Sequence, residues 1–302
     1  MIYSIKRHKN FILRLMKAQI SRKLYKISLM ITAIAFVIFS MFIGVENKEM
    51  NLTSGASQPA INNGRLLTAN AEEEQKKPPR VAIVIDDFGM DRRGVEEMLS
   101  IDAPLTIAVL PGMDFSAEDA ERAHAKGHEV ILHMPMENMG YMPPEYYGPK
   151  VVRNGMSEEE AVGLVDECLS SIPHAVGMNI HMGTGVSKNE KLISAIMEDM
   201  KRKNKYFLDS KTIEETVCPK CAELTGVKFY LRDIFLEPSG RPNEEIAYNY
   251  LIKAGELAKE KGTAIAIGHV GPVGDNLTAK AIKNALKAFK NQGVEVVPLS
   301  KL

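Results

Sequence analysis

Two adjacent carboxylates, Asp86 and Asp87, close the apolar, largely β-branched run Val81-Ala82-Ile83-Val84-Ile85, and Phe88-Gly89 follow. Neighbouring acids at the end of an extended segment point to different sides, so one can ligate a cation while the other stays free as a base. Taken alone, the pair reads equally well as solvated loop acids or as an N-cap for a following helix. Other polar residues stand in the same relation to strand-like runs. His133 and Glu137 follow residues 129–132, and His181 follows 175–179. Asp209 follows 206–208, Arg232, Asp233 and Glu237 follow 228–231, and His269 follows 263–267. Two imidazoles and a carboxylate make a three-ligand site with a position left for water, the catalytic arrangement of zinc. Water on such a metal loses its proton near neutral pH, a nearby carboxylate orients it or accepts the proton, and a histidine opposite protonates the leaving group. Asp86 suits the base, Asp87 the ligand and His269 the acid.

The elements that must bring these residues together alternate along the chain. Strand-like runs occupy 81–85, 105–110, 129–132, 175–179, 206–208, 228–231, 263–267 and 294–297. Helical stretches are expected at 92–100, 117–126, 158–171, 189–203, about 219–225, 244–261 and 277–291. Ser116, Ser157, Ser187 and Asn243 sit where N-caps belong, and Gly127, Gly226, Gly262 and Gly293 where helices end. Repeated strand-helix-strand units build a parallel sheet with helices outside, here a closed or slightly broken (β/α) barrel. A dinucleotide-binding α/β fold would need a Gly-x-Gly-x-x-Gly turn where Asp86 and Asp87 stand. In a barrel the site lies at the C-terminal ends of the strands, which is where these residues fall.

Composition places this domain in a longer layout. Lys+Arg and Asp+Glu are both 38 in 302 residues, so a basic footprint for nucleic acid has no global support. Residues 1–26 carry bases and no acid, and 27–45 form an uncharged, almost wholly apolar run of bilayer-spanning length. Basic residues before the run, with Glu46, Lys48 and Glu49 after it, put the N-terminus in the cytoplasm and the remainder outside it. A cleaved signal peptide would want a shorter core and a small-x-small site directly behind it, so an uncleaved single-pass membrane anchor is the expectation. Residues 46–79 are too polar to fold and read as a flexible tether, leaving 80–302 as a periplasmic or cell-surface domain.

The successions Ile85-Asp86-Asp87-Phe88-Gly89, His133-Met134-Pro135-Met136-Glu137 and Asn179-Ile180-His181-Met182-Gly183 carry a resemblance. So do Leu208-Asp209-Ser210-Lys211-Thr212, Arg232-Asp233-Ile234-Phe235-Leu236-Glu237 and Ile267-Gly268-His269. In this order, over about residues 80–302, the chain resembles the divergent polysaccharide deacetylase family, a remote branch of the NodB-like carbohydrate esterases. The resemblance implies a distorted (β/α) barrel and metal-dependent removal of an N- or O-acetyl group from a polysaccharide. It makes Asp86 the catalytic base, Asp87 a metal ligand, His133 the first histidine of the metal motif and His269 the acid. The chain departs from the pattern at Glu137, where a second metal histidine is expected and which His181 would replace. It departs again at Ile180, where the branch has Asn before His-Met-Gly, and at Glu237, where it has Asp. Zinc suits imidazole and carboxylate ligands, although cobalt, nickel or manganese could take the same site.

Glu137 favours a second reading: an envelope protein that keeps the barrel without catalysis and binds glycan or a protein partner. The remaining features are read locally. His128 is expected in packing, His124 on the surface and His174 in a loop. Cys218 and Cys221 form a Cys-Pro-Lys-Cys pair without the thioredoxin or zinc-ribbon context that would give it a function. Methionines 134, 136, 139, 142, 178 and 182 either pack the core and cleft or offer soft ligands to copper. The long segment 137–155 carries Tyr141, Tyr146 and Tyr147, whose ring faces could stack on sugars.

Overall fold

The computed structural model describes residues 77–302. The expected membrane span and the basic segment before it lie outside the described residues, as does all of the tether except residues 77–79. Among the described residues no helix is long and apolar enough to cross a membrane.

Strands and helices alternate as β1 (Arg80–Phe88), α1 (Val95–Leu99), β2 (Thr106–Val109), α2 (Ser116–Ala125), β3 (Glu129–Met136), α3 (Glu158–Ser171), β4 (Ala175–Met182) and α4 (Glu190–Arg202). They continue as β5 (Tyr206–Asp209), α5 (Cys218–Thr225), β6 (Phe229–Leu231), β7 (Ile234–Phe235), α6 (Glu244–Lys261), β8 (Thr263–His269), α7 (Gly271–Gln292) and β9 (Glu295–Val296). The strands form one 9-stranded sheet in the order β6-β5-β4-β3-β2-β1-β8-β7, with β9 on β1. Every strand pairing is parallel. The path begins at β6 and ends at β7 without joining them, so the sheet is a curled, incomplete barrel with a seam at those short strands rather than a closed one.

Period-two alternation separates two apolar layers. On β1, Val81, Ile83 and Ile85 face outward and join the layer beneath the helices, while Ala82 and Val84 face inward. The inward layer gathers Ala108, Ile131, Leu208, Ile265 and Ile267 from strands spread across the sheet, which they can share only because the sheet curls. Fully burying each inward Ile or Leu contributes about 1.5–3 kcal/mol. The floor of the trough, at the N-terminal ends of the strands, is closed by polar contacts. Glu129 Oε1 accepts from Tyr206 Oη at 2.7 Å, Thr106 Oγ1 at 3.1 Å and the Ser300 amide at 3.2 Å, and buried Leu299 seals the same end.

Helix ends follow local chemistry. Ser157 and Glu160 form a reciprocal capping box on α3, and Asn243 caps α6 through the Ile246 amide. Asn189, not Ser187, caps α4. Ser116 opens α2 one residue inside the expected cap, and its hydroxyl donates to the Leu110 carbonyl instead. Helix α7 starts earlier than expected, with a turn over His269 and a break at Asp275 (φ 49, ψ −150) before the regular part. Gly274 is required in that turn because a Cβ there would collide with the His269 carbonyl oxygen.

Candidate metal centre

The inward columns that fill the trough end in chemistry at its rim. Two steps beyond Val84 stands Asp86, and two beyond Ile131 stands His133. Asn179 is level with His133 across β3 and β4, and His181 lies one inward step further. His269 is level with Asp86 across β8 and β1. Alternation alone would turn Asp87 outward. It faces the site because the β1–β2 register slips between Ile85 and Phe88 and Asp87 itself takes the left-handed conformation, φ 70. Met182, directly after His181, is also left-handed at φ 60. Such conformations cost about 1–3 kcal/mol each and concentrate where surrounding structure has a reason to hold them.

Three atoms meet there. Asp87 Oδ1 lies 3.2 Å from His181 Nδ1 and 3.4 Å from His133 Nε2, and the two nitrogens are 3.1 Å apart. Each imidazole uses its other nitrogen elsewhere: His133 Nδ1 meets Asn179 Oδ1 at 2.7 Å, and His181 Nε2 meets the Tyr146 carbonyl at 2.8 Å. A carbonyl oxygen can only accept, so in each neutral ring the N–H is committed outward and a lone pair faces the centre. Asp87 Oδ1 is buried and finds no hydrogen-bond donor. Three acceptors facing one another need a proton or a cation between them. Ligands ~2.0–2.1 Å from a tetrahedral zinc stand ~3.3–3.4 Å apart, so the triangle is the size such an ion requires. Among the described residues this is the one grouping of acids, histidines and cysteines that converges so.

The charges agree. Burial would raise Asp87, but His133 and His181 overcome it and hold the carboxyl well below its usual range. His133 is raised despite its burial, by Asp86 and Asp87. Asp86 is raised because burial outweighs the nearby imidazoles. Its Oδ2 lies 3.7 Å from His133 Nε2, beside the triangle but not in it, while Asn179 Nδ2 donates to its Oδ1 at 2.8 Å.

His269 forms a second unit. Its Nδ1 lies 3.0 Å from Glu237 Oε2, and Glu237 is buried and also accepts from Thr278 Oγ1 and the His269 amide.

Residues 83–302 match the model of the divergent polysaccharide deacetylases. The chain belongs to the divergent polysaccharide deacetylase family. It is 37% identical over 193 residues to the Escherichia coli K12 protein YibQ, covering 64% of this chain and 59% of YibQ, so the match spans about three fifths of that relative's length. A Haemophilus influenzae protein is 31% identical over 194 residues, covering 64% of this chain and 67% of its own. Among solved structures, an Agrobacterium tumefaciens C58 protein shares the fold at a TM-score of 0.67 and 20% identity, over 74% of this chain and 89% of that one.

The deacetylase-family fold distributes the other expected site residues unevenly. Glu137 stays outside the triangle: its carboxylate takes the Asn154 amide at 2.9 Å and its carbonyl takes the amides of Gly185 and Val186, so it clasps two loops together. Asp209 shares the outward face of Phe207 and accepts from the Lys211 amide, away from the triangle. Asp233 accepts from the Ile265 amide, low on β8, and serves the sheet. Arg232 is held by the carbonyls of Ser210 and Lys211, close enough to act electrostatically on Asp209 and Asp86. Glu237 is brought in, as the partner of His269. Asn179, which is not among the expected site residues, touches both Asp86 and His133.

The bystanders settle as well. His128 is buried, while His124 stacks on His174 near the surface. Met134, Met136 and Met178 belong to the outward layer beneath the helices, which removes them from any copper site on the rim. Cys218 and Cys221 are buried free thiols, both raised by burial.

Burial alone would lower His269, yet Glu237, Asp87 and Asp86 raise it to about 9. A folded-state value above the unfolded 6.5 means that charging His269 contributes stability that is complete below about 6.5 and lost as pH rises through about 9. The thermal midpoint of the protein is expected to fall across that window. In Glu237→Gln the fall should shrink and move toward 6.5, because the strongest partner of the imidazolium is gone; a pH series of thermal unfolding curves reads both.

Proposed function

We propose that this chain is a zinc-dependent hydrolase that removes acetyl groups from an envelope or extracellular polysaccharide. The observation that carries the reading is the triangle of Asp87 Oδ1, His133 Nε2 and His181 Nδ1, with the Asp86 carboxylate beside it and the His269 imidazole level with Asp86 on the neighbouring strand. Asp87, His133 and His181 would hold the ion. When bound there, a divalent metal supplies a Lewis acid for the acetyl carbonyl and eases the deprotonation of water.

The chain's own residues do the rest. Asp86 Oδ2 accepts the proton that the attacking water loses. His269, kept charged at neutral pH by Glu237 behind it, gives a proton to the departing sugar nitrogen or oxygen as its bond to the acetyl carbon breaks. The products are acetate and a free amine or hydroxyl. Anchoring through residues 27–45, with the folded part outside the cytoplasm, belongs to the same proposal and rests on the charge and apolar pattern of the N-terminus.

The full chain, purified without a metal-affinity tag, should carry about one equivalent of zinc by elemental analysis. It should release acetate from one or more members of a panel of N- and O-acetylated oligosaccharides, and lose that activity on dialysis against a chelator. No metal, and none taken up on soaking, would remove the hydrolase.

The segment that supplies the Tyr146 carbonyl to His181 also presents aromatic surface. Tyr141 is 88% exposed and Tyr146 54%, whereas Tyr147 is buried with its hydroxyl accepting from the Asn138 amide. Tyr141 and Tyr146 are the two that could stack on sugar rings, and Tyr147 serves the loop. Alanine at both exposed tyrosines is expected to raise KM for a long oligosaccharide about tenfold, in line with ~0.5–1.5 kcal/mol per aromatic contact. kcat on a monosaccharide should change little. Unchanged KM on the long substrate would withdraw the stacking role.

A further inference from the structure

Asn179 is completely buried at the rim and, among the described residues, is the only side chain in hydrogen-bond contact with both a residue of the metal triangle and the proposed base. Its two contacts are of opposite kind. The amide nitrogen meets Asp86 Oδ1 at 2.8 Å, and the amide oxygen meets His133 Nδ1 at 2.7 Å. The orientation is not interchangeable. An ionised carboxylate can only accept, so the NH2 must face Asp86, and the oxygen is then left to face the imidazole. An acceptor at Nδ1 makes that nitrogen the protonated one in the neutral ring, which turns the lone pair of Nε2 to Asp87 and His181. The donor on Asp86 Oδ1 leaves Oδ2 as the oxygen beside the triangle.

We infer that Asn179 is a positioning residue that couples the two halves of the site: one amide group sets the tautomer of the ligand His133 and selects which oxygen of Asp86 acts. The inference rests on the hydrolase reading for its purpose, but not for its geometry. A hydrocarbon of similar size cannot do either job. A carboxylate can still accept from His133 Nδ1, but it either repels Asp86 or shares a proton with it, and both spoil Asp86 as an acceptor.

The test compares the full chain with Asn179→Leu and Asn179→Asp by three readouts. The first is the His133 tautomer, by nitrogen-15 NMR on metal-free protein at a pH where the ring is neutral. The second is zinc affinity by chelator competition, and the third is acetate release from a β-1,4-linked N-acetylglucosamine oligomer. Asn179→Leu should mix the tautomers and weaken zinc binding about 10- to 100-fold, the usual cost of losing a ligand's outer partner. Asn179→Asp should restore the Nδ1–H tautomer and near wild-type zinc affinity while acetate release stays low. A residue that merely filled space would not be rescued in this split way. An Nε2–H tautomer in the wild type, or leucine leaving tautomer and affinity untouched, would overturn the inference. If the leucine variant does not fold, the nearly isosteric aspartate decides: a changed His133 tautomer in it overturns the inference. A wild type that binds no zinc counts against the hydrolase reading, and the tautomer still answers for Asn179.

Discussion

Alanine at both His133 and His181 is expected to leave the chain without bound zinc and without measurable deacetylation, since only Asp87 of the triangle would remain to hold an ion. Two of the three ligand atoms, 3.1 Å apart, leave with the imidazoles. The change has a second consequence, for folding. Asp87 is a buried carboxylate held well below its usual range by those two rings. Removing its partners strands the charge, and breaking a buried pair from one side costs about 3–5 kcal/mol. A fall in stability should therefore accompany the loss of metal. Adding Asp87→Asn to the double variant should recover much of that stability without recovering zinc. Elemental analysis and thermal unfolding of the two variants together separate the ligand role from the packing role. Zinc retained at one equivalent in the double variant would place the ion elsewhere.

Asparagine at Asp86 should slow acetate release about 10²- to 10⁴-fold, the usual contribution of a positioned proton acceptor, with zinc content and fold unchanged. The expectation follows from where the residue stands: beside the metal triangle at 3.7 Å from His133 Nε2, but not among its ligand atoms. Asn has the same shape, and its amide oxygen can still accept from Asn179, so the substitution removes the ability to take a proton and little else. This variant also separates an enzyme from an envelope protein that only binds. If a cell carrying Asp86→Asn keeps the phenotype of the wild type, binding is the function and the retained acid is a relic. The displacement of Glu137 from the centre does not decide the matter, because His181 completes the triangle without it.

How much of this could be read beforehand depends on one geometric fact. Strand ends are visible as the close of β-branched runs, and that rule places Asp87, His133, His181 and His269. Which face a residue takes at a strand end is much less visible. Position groups Asp209 with the site, but it shares the outward face of Phe207; Asp233, between β6 and β7, is bonded to the Ile265 amide of β8 instead. Conversely Asp87 reaches the site only through a register slip and a left-handed residue, neither of which the sequence announces. Asn179 gives no such signal, because an amide neither titrates nor commonly ligates. Counting two back from His181 along an alternating strand would have found it. The spacing of Glu137 from His133 points to the metal, whereas a loop clasp between Asn154 and Gly185 depends on segments far apart in sequence. A slightly broken barrel is one of the two forms the strand count allows, but only the pairing shows that the break falls between β6 and β7.

The closed floor of the trough bears on traffic. Ala82, Val84, Ala108, Ile131, Leu208 and Ile267 fill the interior without exposure, and Glu129, Thr106, Tyr206 and the backbone of Ser300 lock the far end. Nothing made at the rim can drain through the barrel. For the proposed reaction, acetate must depart by the mouth through which the polymer came, past the deacetylated residue or after it has shifted along. Acetate should accordingly inhibit in competition with a short acetylated oligosaccharide. On a long chain, the order in which the two products depart, rather than the bond cleavage, becomes the candidate for the slow step.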